Sequence, residues 1–198
     1  MKDEISLILF DFGGVIAPEG FQLGVLKLAL EFGIPFEKMY ELAGNRAALE
    51  SGYSRGKISE KEYWKILAGL MGTDKDLMEY RYVFLDNFQP RKDMMSLIKK
   101  LRPDYDLGIF SDQTNWIYDL DEKYDFMKYF DYKFISFDTG YTKHDDQFYN
   151  MPSSRTDIKK ENILVVDDKP RVIERVIKSG MNGYRFTSVS EFSGFILK

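Results

Sequence analysis

Cysteine is absent from this 198-residue chain, and histidine occurs once. The first absence excludes a disulfide framework, a thiolate zinc site and a cysteine nucleophile. The second leaves oxygen as the donor for any metal site, which favours hard cations. Long apolar runs are also missing. No stretch approaches the roughly 18 residues of a membrane span, and the run behind Met1-Lys2-Asp3-Glu4 is too short for a signal peptide. A cytoplasmic location with no membrane partner is therefore expected. The net charge is −4, and Lys and Arg are spread along the chain rather than gathered in a basic patch, so a nucleic-acid partner is not expected. Internal repeats and low-complexity segments are lacking as well.

What is present is a globular composition, 44% hydrophobic and 30% charged, in a chain long enough for one core or for a core with an inserted subdomain. The organising stretch is Leu7-Ile8-Leu9-Phe10-Asp11-Phe12-Gly13-Gly14-Val15-Ile16. A buried-strand pattern ends in a carboxylate and a double glycine. From Ala17 to Phe88 the apolar spacing is helical. Helices are predicted from Phe21 to Phe32 and from Phe36 to Glu50. A third opens at the capping box Ser59-Glu60-Lys61-Glu62, and a fourth is capped by Thr73 or Asp74.

From Pro90 the pattern alternates. Met94 to Leu101 is predicted helix and Tyr105–Phe110 strand, with Ser111-Asp112 at its carboxyl end. Residues 114–124 are helix, Tyr132–Ser136 strand, and Asn162–Val166 strand ending in Asp167-Asp168. Pro170–Ser179 is helix, Gly183–Phe186 a weak strand and Val189–Leu197 a last helix. Asp145 to Lys160 should cross over as a helix, but Pro152-Ser153-Ser154 is expected to break or shorten it. The reading is an α/β, Rossmann-like parallel sheet with helices on both faces and an inserted helical-bundle cap. The core is expected over 1–17 and 89–198 and the cap over 18–88. A monomer or weak homodimer is expected.

Parallel strands share one carboxyl edge, so Asp11, Ser111-Asp112 and Asp167-Asp168 can converge there, joined by Lys143 from the loop Gly140-Tyr141-Thr142-Lys143. Adjacent carboxylates repel unless a cation lies among them, and an oxygen-rich set of this kind suits Mg²⁺. A phosphoryl group would want that cation, the lysine and hydroxyl donors, and a carboxylate such as Asp11 could attack its phosphorus.

In the order of these motifs the chain resembles the haloacid dehalogenase (HAD) superfamily, in its subgroup with a helical cap inserted after the first strand. The resemblance covers nearly the whole chain, including Gly56-Lys57-Ile58-Ser59 with Tyr63-Trp64 in the cap. It implies a Mg²⁺-dependent phosphatase of a small phosphomonoester, working through an aspartyl-phosphate on Asp11. Ser111 and Lys143, with Asp112 beside them, would bind the phosphoryl group. Asp11, the Gly13 carbonyl and Asp168 would hold Mg²⁺, with Asp167 as helper. Lys143 stands in Lys143-His144-Asp145, where Lys-Pro-Asp is usual. The same resemblance admits a 2-haloacid dehalogenase using the same Asp, or a binding or regulatory protein with little turnover.

Departures from the pattern carry information. Family phosphatases usually place a second Asp two residues after the nucleophile as general acid and base, and here that residue is Gly13. Asp112, His144 or the leaving group itself are the candidate replacements. Val172 stands where an acidic or amide residue often supports the metal. Asp145 is read as a partner of Lys143 or a helix cap, and Lys57, Lys61 and Lys65 as a solvated face.

Overall fold

Five short strands build the central sheet: β1 (Leu7–Phe10), β2 (Asp106–Ser111), β3 (Tyr132–Ile135), β4 (Ile163–Asp167) and β5 (Asn182–Arg185). The structure is a computed structural model and describes residues 4–197. Met1, Lys2 and Asp3, which open the expected core, and Lys198, which closes it, lie outside the described residues. All strand pairings are parallel, in the order β3-β2-β1-β4-β5. β1 is thus the centre, and the chain turns opposite ways on either side of it. That is the switch point at which open α/β sheets bind ligands.

The register delivers the polar residues to one edge. Phe10 is level with Ile109 on β2 and with Val166 on β4. Asp11, Phe110 and Asp167 therefore come next together, and Ser111 one step beyond. Both faces are covered, as the near-continuous apolar strands require. One face packs Ile8 and Phe10 against α5 (Lys92–Leu101), α6 (Trp116–Tyr124) and α10 (Val189–Ile196). The short α7 (Ser136–Thr139) follows β3, and the other face packs Leu7 and Leu9 against α8 (Asp146–Thr156) and α9 (Pro170–Lys178).

The segment between β1 and α5 is helical. It contains α1 (Gly20–Phe32), α2 (Phe36–Tyr40), α3 (Glu60–Met71) and α4 (Arg81–Leu85). These helices surround their own apolar cluster, with Val25, Leu42, Tyr63, Trp64 and Phe84 at its centre, and α6 inserts Trp116 into it. Three local expectations change. The helix expected over 36–50 is α-helical only to Tyr40 and then widens into π-helical turns over Glu41–Glu50. Its apolar spacing does not distinguish the two pitches. The fourth helix is not capped by Thr73 or Asp74. Thr73 Oγ1 accepts from Lys75 N in a local turn, and Asp76 caps a short 3₁₀ turn over Leu77–Tyr80 that leads into α4.

The third change is at α8. Pro152 neither breaks nor visibly shortens this eleven-residue helix. A mid-helix proline costs about 3 kcal/mol. Burial of Phe148 and Tyr149 against Phe110 offsets it, with ring centroids 4.3 and 5.6 Å apart.

Candidate active site

Asp11 leaves β1 with its amide still bonded to Val166 O at 2.9 Å, so the sheet fixes its backbone. The next side chain, Phe12, goes into the core, stacked at 5.2 Å on Phe126 and 5.9 Å on Phe88. The chain then folds back tightly, Ala17 N bonding Phe12 O and Gly14 N bonding Ala17 O, both at 2.8 Å. Gly14 is needed in that turn. Its φ is +89°, and a Cβ there would lie 2.6 Å from Asp168 Oδ2.

The two oxygens of Asp11 differ. Oδ1 accepts from Phe12 N at 2.8 Å and from Ser111 Oγ at 2.6 Å, and lies 2.8 Å from Lys143 Nζ. No hydrogen bond reaches Oδ2 from the described residues. Lys143 Nζ also donates to Asp167 Oδ2 at 2.7 Å, and Asp167 Oδ1 accepts from Lys169 N at 2.8 Å. Asp11, Ser111, Lys143 and Asp167 are all buried. Burial alone would push the Asp11 carboxyl up, but the charges of Lys143 and Lys169 and the hydrogen bonds from Lys143 and Ser111 outweigh it and hold it low. Burial also works against the Lys143 charge, and the carboxylates of Asp11, Asp167 and Asp112 overcome it, so its pKa is raised. Asp167 is pushed up by burial and by the Asp11 charge.

Asp168 is the less committed of the acidic pair. It is half-buried, and its Oδ1 has no hydrogen-bond partner among the described residues. Burial, with the charges of Glu19, Asp11 and Asp167, pushes its carboxyl up to about 6. Asp11, Asp167 and Asp168 bring carboxylate oxygens within 4.8 Å of one another. An all-oxygen set with an orphaned buried oxygen and more acidic than basic groups fits a hard divalent cation. These side chains could hold Mg²⁺.

The loop bearing Lys143 is held from several sides. Its backbone N donates to Asp112 Oδ1 at 2.8 Å, and its carbonyl accepts from Tyr149 OH at 2.9 Å. Asp145 accepts from Thr142 N at 2.8 Å and pairs with Arg55, which also reaches Gly140 O at 3.2 Å. Asp145 thus supports the lysine loop and takes no part in the acidic cluster. His144 is exposed, as are Lys57, Lys61 and Lys65. Val172 is buried on the sheet side of α9 and also borders the cavity.

Above these groups opens a cavity of about 610 Å³. Asp11, Gly13, Asp112 and Lys143 line its floor. Phe21, Tyr40, Leu49, Tyr53 and Phe88 contribute an apolar wall, and Glu19 and Lys169 a charged one. The sequence reading missed Glu19, Lys169 and Arg55. Lys169 had a visible signal, since it follows the acidic pair directly. Nothing local marks Glu19 or Arg55, because their partners are remote in sequence.

No family model matches the chain. Flavin mononucleotide hydrolase 1, a chloroplast protein of Arabidopsis thaliana, is 22% identical over 193 residues, covering 97% of this chain and 76% of that protein. A HAD-like family hydrolase of Porphyromonas gingivalis superposes with a TM-score of 0.80 at 20% identity, over 98% of both chains. A HAD family enzyme of Bacteroides thetaiotaomicron, in complex with magnesium and inorganic phosphate, superposes with a TM-score of 0.77 at 17% identity, over 95% of this chain and 98% of that one.

Proposed function

We propose that this chain, by fold a member of the HAD superfamily, is a Mg²⁺-dependent hydrolase of phosphomonoesters that works through an aspartyl-phosphate on Asp11. The observation that carries the reading is the split environment of the Asp11 carboxylate. Oδ1 sits among a hydroxyl, an ammonium and a backbone N–H, the donor set a phosphoryl group needs, while Oδ2 takes no hydrogen bond from the described residues and the carboxylate lies within 4.8 Å of oxygens of Asp167 and Asp168.

In this reading Asp11, the Gly13 carbonyl and Asp168 would hold Mg²⁺, and Asp167 fixes Lys143. When bound, Mg²⁺ would supply positive charge to offset that of the phosphoryl oxygens. Ser111 and Lys143 transfer their hydrogen bonds from Asp11 Oδ1 to the incoming phosphoryl oxygens, with Asp112 bordering the same space. Asp11 Oδ1 then attacks phosphorus and the bond to the leaving oxygen breaks. Water next attacks phosphorus and returns Asp11 to its free carboxylate. Residues 1–17 and 89–198 serve as the core, and 18–88 as a cap whose closure excludes bulk water.

A dehalogenase attacks carbon and has no need of the acidic pair, so retention of Asp167-Asp168 favours phosphorus. The substrate is a small phosphorylated molecule. The apolar wall of Phe21, Tyr40 and Phe88 and the activity of the Arabidopsis relative put flavin mononucleotide first in a substrate panel. Purified protein with Mg²⁺ should release phosphate from an aryl phosphate, and Asp11→Asn should abolish the release. Turnover of a 2-haloacid without Mg²⁺, or phosphate release surviving Asp11→Asn, would refute the reading.

A further inference from the structure

A carboxylate that no helix or strand requires stands on the cavity wall. Glu19 is the N-cap residue of α1, yet its side chain makes no capping hydrogen bond. An N-cap side chain is ordinarily valued for that bond. Instead, Glu19 Oε1 lies 2.9 Å from Lys169 Nζ, and Oε2 lies 3.6 Å from where a Cβ on Gly13 would be. Glu19 Oε2 therefore lies in van der Waals contact with the point from which a side chain two residues after Asp11 would start. The placement is enforced by packing. Gly20 lets the chain lie against Phe88, since a Cβ there would come within 2.5 Å of that ring. The return turn of residues 11–17 holds the approach from the other side. The side chain is 27% exposed, and Glu19 lines the same cavity as Asp11.

We propose that Glu19 is a catalytic residue, the proton acceptor in hydrolysis of the aspartyl-phosphate; the proposal rests on the reading of Asp11 as nucleophile. The ion pair with Lys169 orients the carboxylate and leaves Oε2 as the basic atom. Water oxygen forms a bond to phosphorus while one of its protons passes to Oε2. The bond between phosphorus and the Asp11 oxygen breaks, and its electron pair returns to the Asp11 carboxylate. Inorganic phosphate departs, and Glu19 gives its proton to solvent through the open side of the cavity.

The other proton-transfer candidates are placed less well for this step. Asp112 also borders the cavity, but its Oδ1 is committed to Lys143 N at 2.8 Å. His144 also borders the cavity, but it is exposed and no hydrogen bond or ion pair fixes its ring among the described residues.

The test is rapid-mixing kinetics of p-nitrophenyl phosphate with Mg²⁺ for wild type, Glu19→Gln, Glu19→Ala, Asp112→Asn and the double variant Gly13→Asp/Glu19→Ala. Glu19→Gln should release one equivalent of nitrophenol in a burst and then turn over about 100-fold more slowly, with KM lowered in parallel and phosphoenzyme accumulating. The double variant should regain turnover over Glu19→Ala. Gly13 is not among the glycines with positive φ, and its nearest foreign atoms lie 3.6–3.9 Å from a Cβ, so backbone and Cβ both tolerate a side chain there.

A residue that merely positioned Lys169 would slow the burst itself and would not be replaced by a carboxylate at position 13, and that outcome overturns the proposal. So does phosphoenzyme accumulation in Asp112→Asn but not in Glu19→Gln. If wild type itself forms no phosphoenzyme on Asp11, the nucleophile reading fails instead, which keeps the two failures apart.

Discussion

Removing the Glu60 carboxylate should loosen the helical segment from the sheet side of the molecule. Glu60 begins α3 and gathers four donors. They are Trp116 Nε1 and Arg81 Nε, each at 2.6 Å, Asn115 Nδ2 at 2.9 Å and Trp64 Nε1 at 3.2 Å. Trp116 and Asn115 belong to α6 and its approach, so these bonds tie α3 to α6, whose Ile117 and Leu120 pack in the cluster against the sheet. Both indoles are 2% exposed, and Glu60→Ala leaves their N–H groups buried without an acceptor. Each such donor costs about 1–3 kcal/mol. Arg81 keeps Asp119 and is partly solvated, so its loss adds little. Together with Asn115 the expected destabilisation is about 3–5 kcal/mol. At about 2–4 °C per kcal/mol for a chain of this size, the melting midpoint should fall by roughly 6–20 °C.

Glu60 also carries a pH signature. Burial would raise its pKa, but the hydrogen bonds from Asn115, Arg81, Trp116 and Trp64 prevail and hold it below the ordinary value of 4.5. A depressed folded pKa contributes stability that is complete above the unfolded value and is lost as pH falls through the folded one. In urea titrations, the gap between wild type and Glu60→Gln should therefore be full at neutral pH and narrow as pH drops below about 4.5. Limited proteolysis should cut within α1–α4 sooner in the Ala variant. A midpoint shift under about 2 °C, or a gap that widens in acid, would refute the idea that this carboxylate fastens the two clusters.

Three further outcomes follow from the site. Gly14→Ala should destabilise the protein by about 1–3 kcal/mol in urea, because φ of +89° strains an L residue and its Cβ meets Asp168 Oδ2; the thermal stabilisation given by Mg²⁺ should fall with it. Lys143→Met leaves Asp11 and Asp167 buried without their shared cation and should cost about 3–5 kcal/mol, part of which Lys143→Met/Asp167→Asn should recover in the same denaturation assay. Excess EDTA should stop phosphate release and added Mg²⁺ should restore it; release that ignores the chelator would contradict the metal assignment.

The centre of the sheet was legible because its inner strands are buried on both faces. Leu7–Phe10 and Ile163–Val166 are unbroken apolar runs bounded by polar residues, and no amphipathic alternative competes. The converging acids were legible for the same reason, since a parallel sheet delivers every strand end to one edge. Helix pitch was not, because Leu42, Ala43 and Ala47 face inward on either an α- or a π-turn. Pro152 misled because its cost is local, whereas the burial of Phe148 and Tyr149 that offsets it comes from Phe110, far away in sequence. Glu60 read as part of a capping box, and only the fold brings Asn115 and Trp116 to it. Glu19 was silent for a related reason. Its role depends on an emptiness at Gly13 and a charge at Lys169, neither of which is a pattern within one stretch of chain.

Asp11 as a covalent nucleophile is the central claim, and its adduct is directly observable. Wild type mixed with an aryl phosphate and Mg²⁺, quenched in acid during turnover and digested, should yield a peptide containing Asp11 that carries one phosphoryl group. The group should be absent from Asp11→Asn and should disappear once substrate is exhausted. Turnover with Mg²⁺ in which no quenched sample carries phosphate on that peptide, or in which the phosphate sits on another residue, would contradict the account.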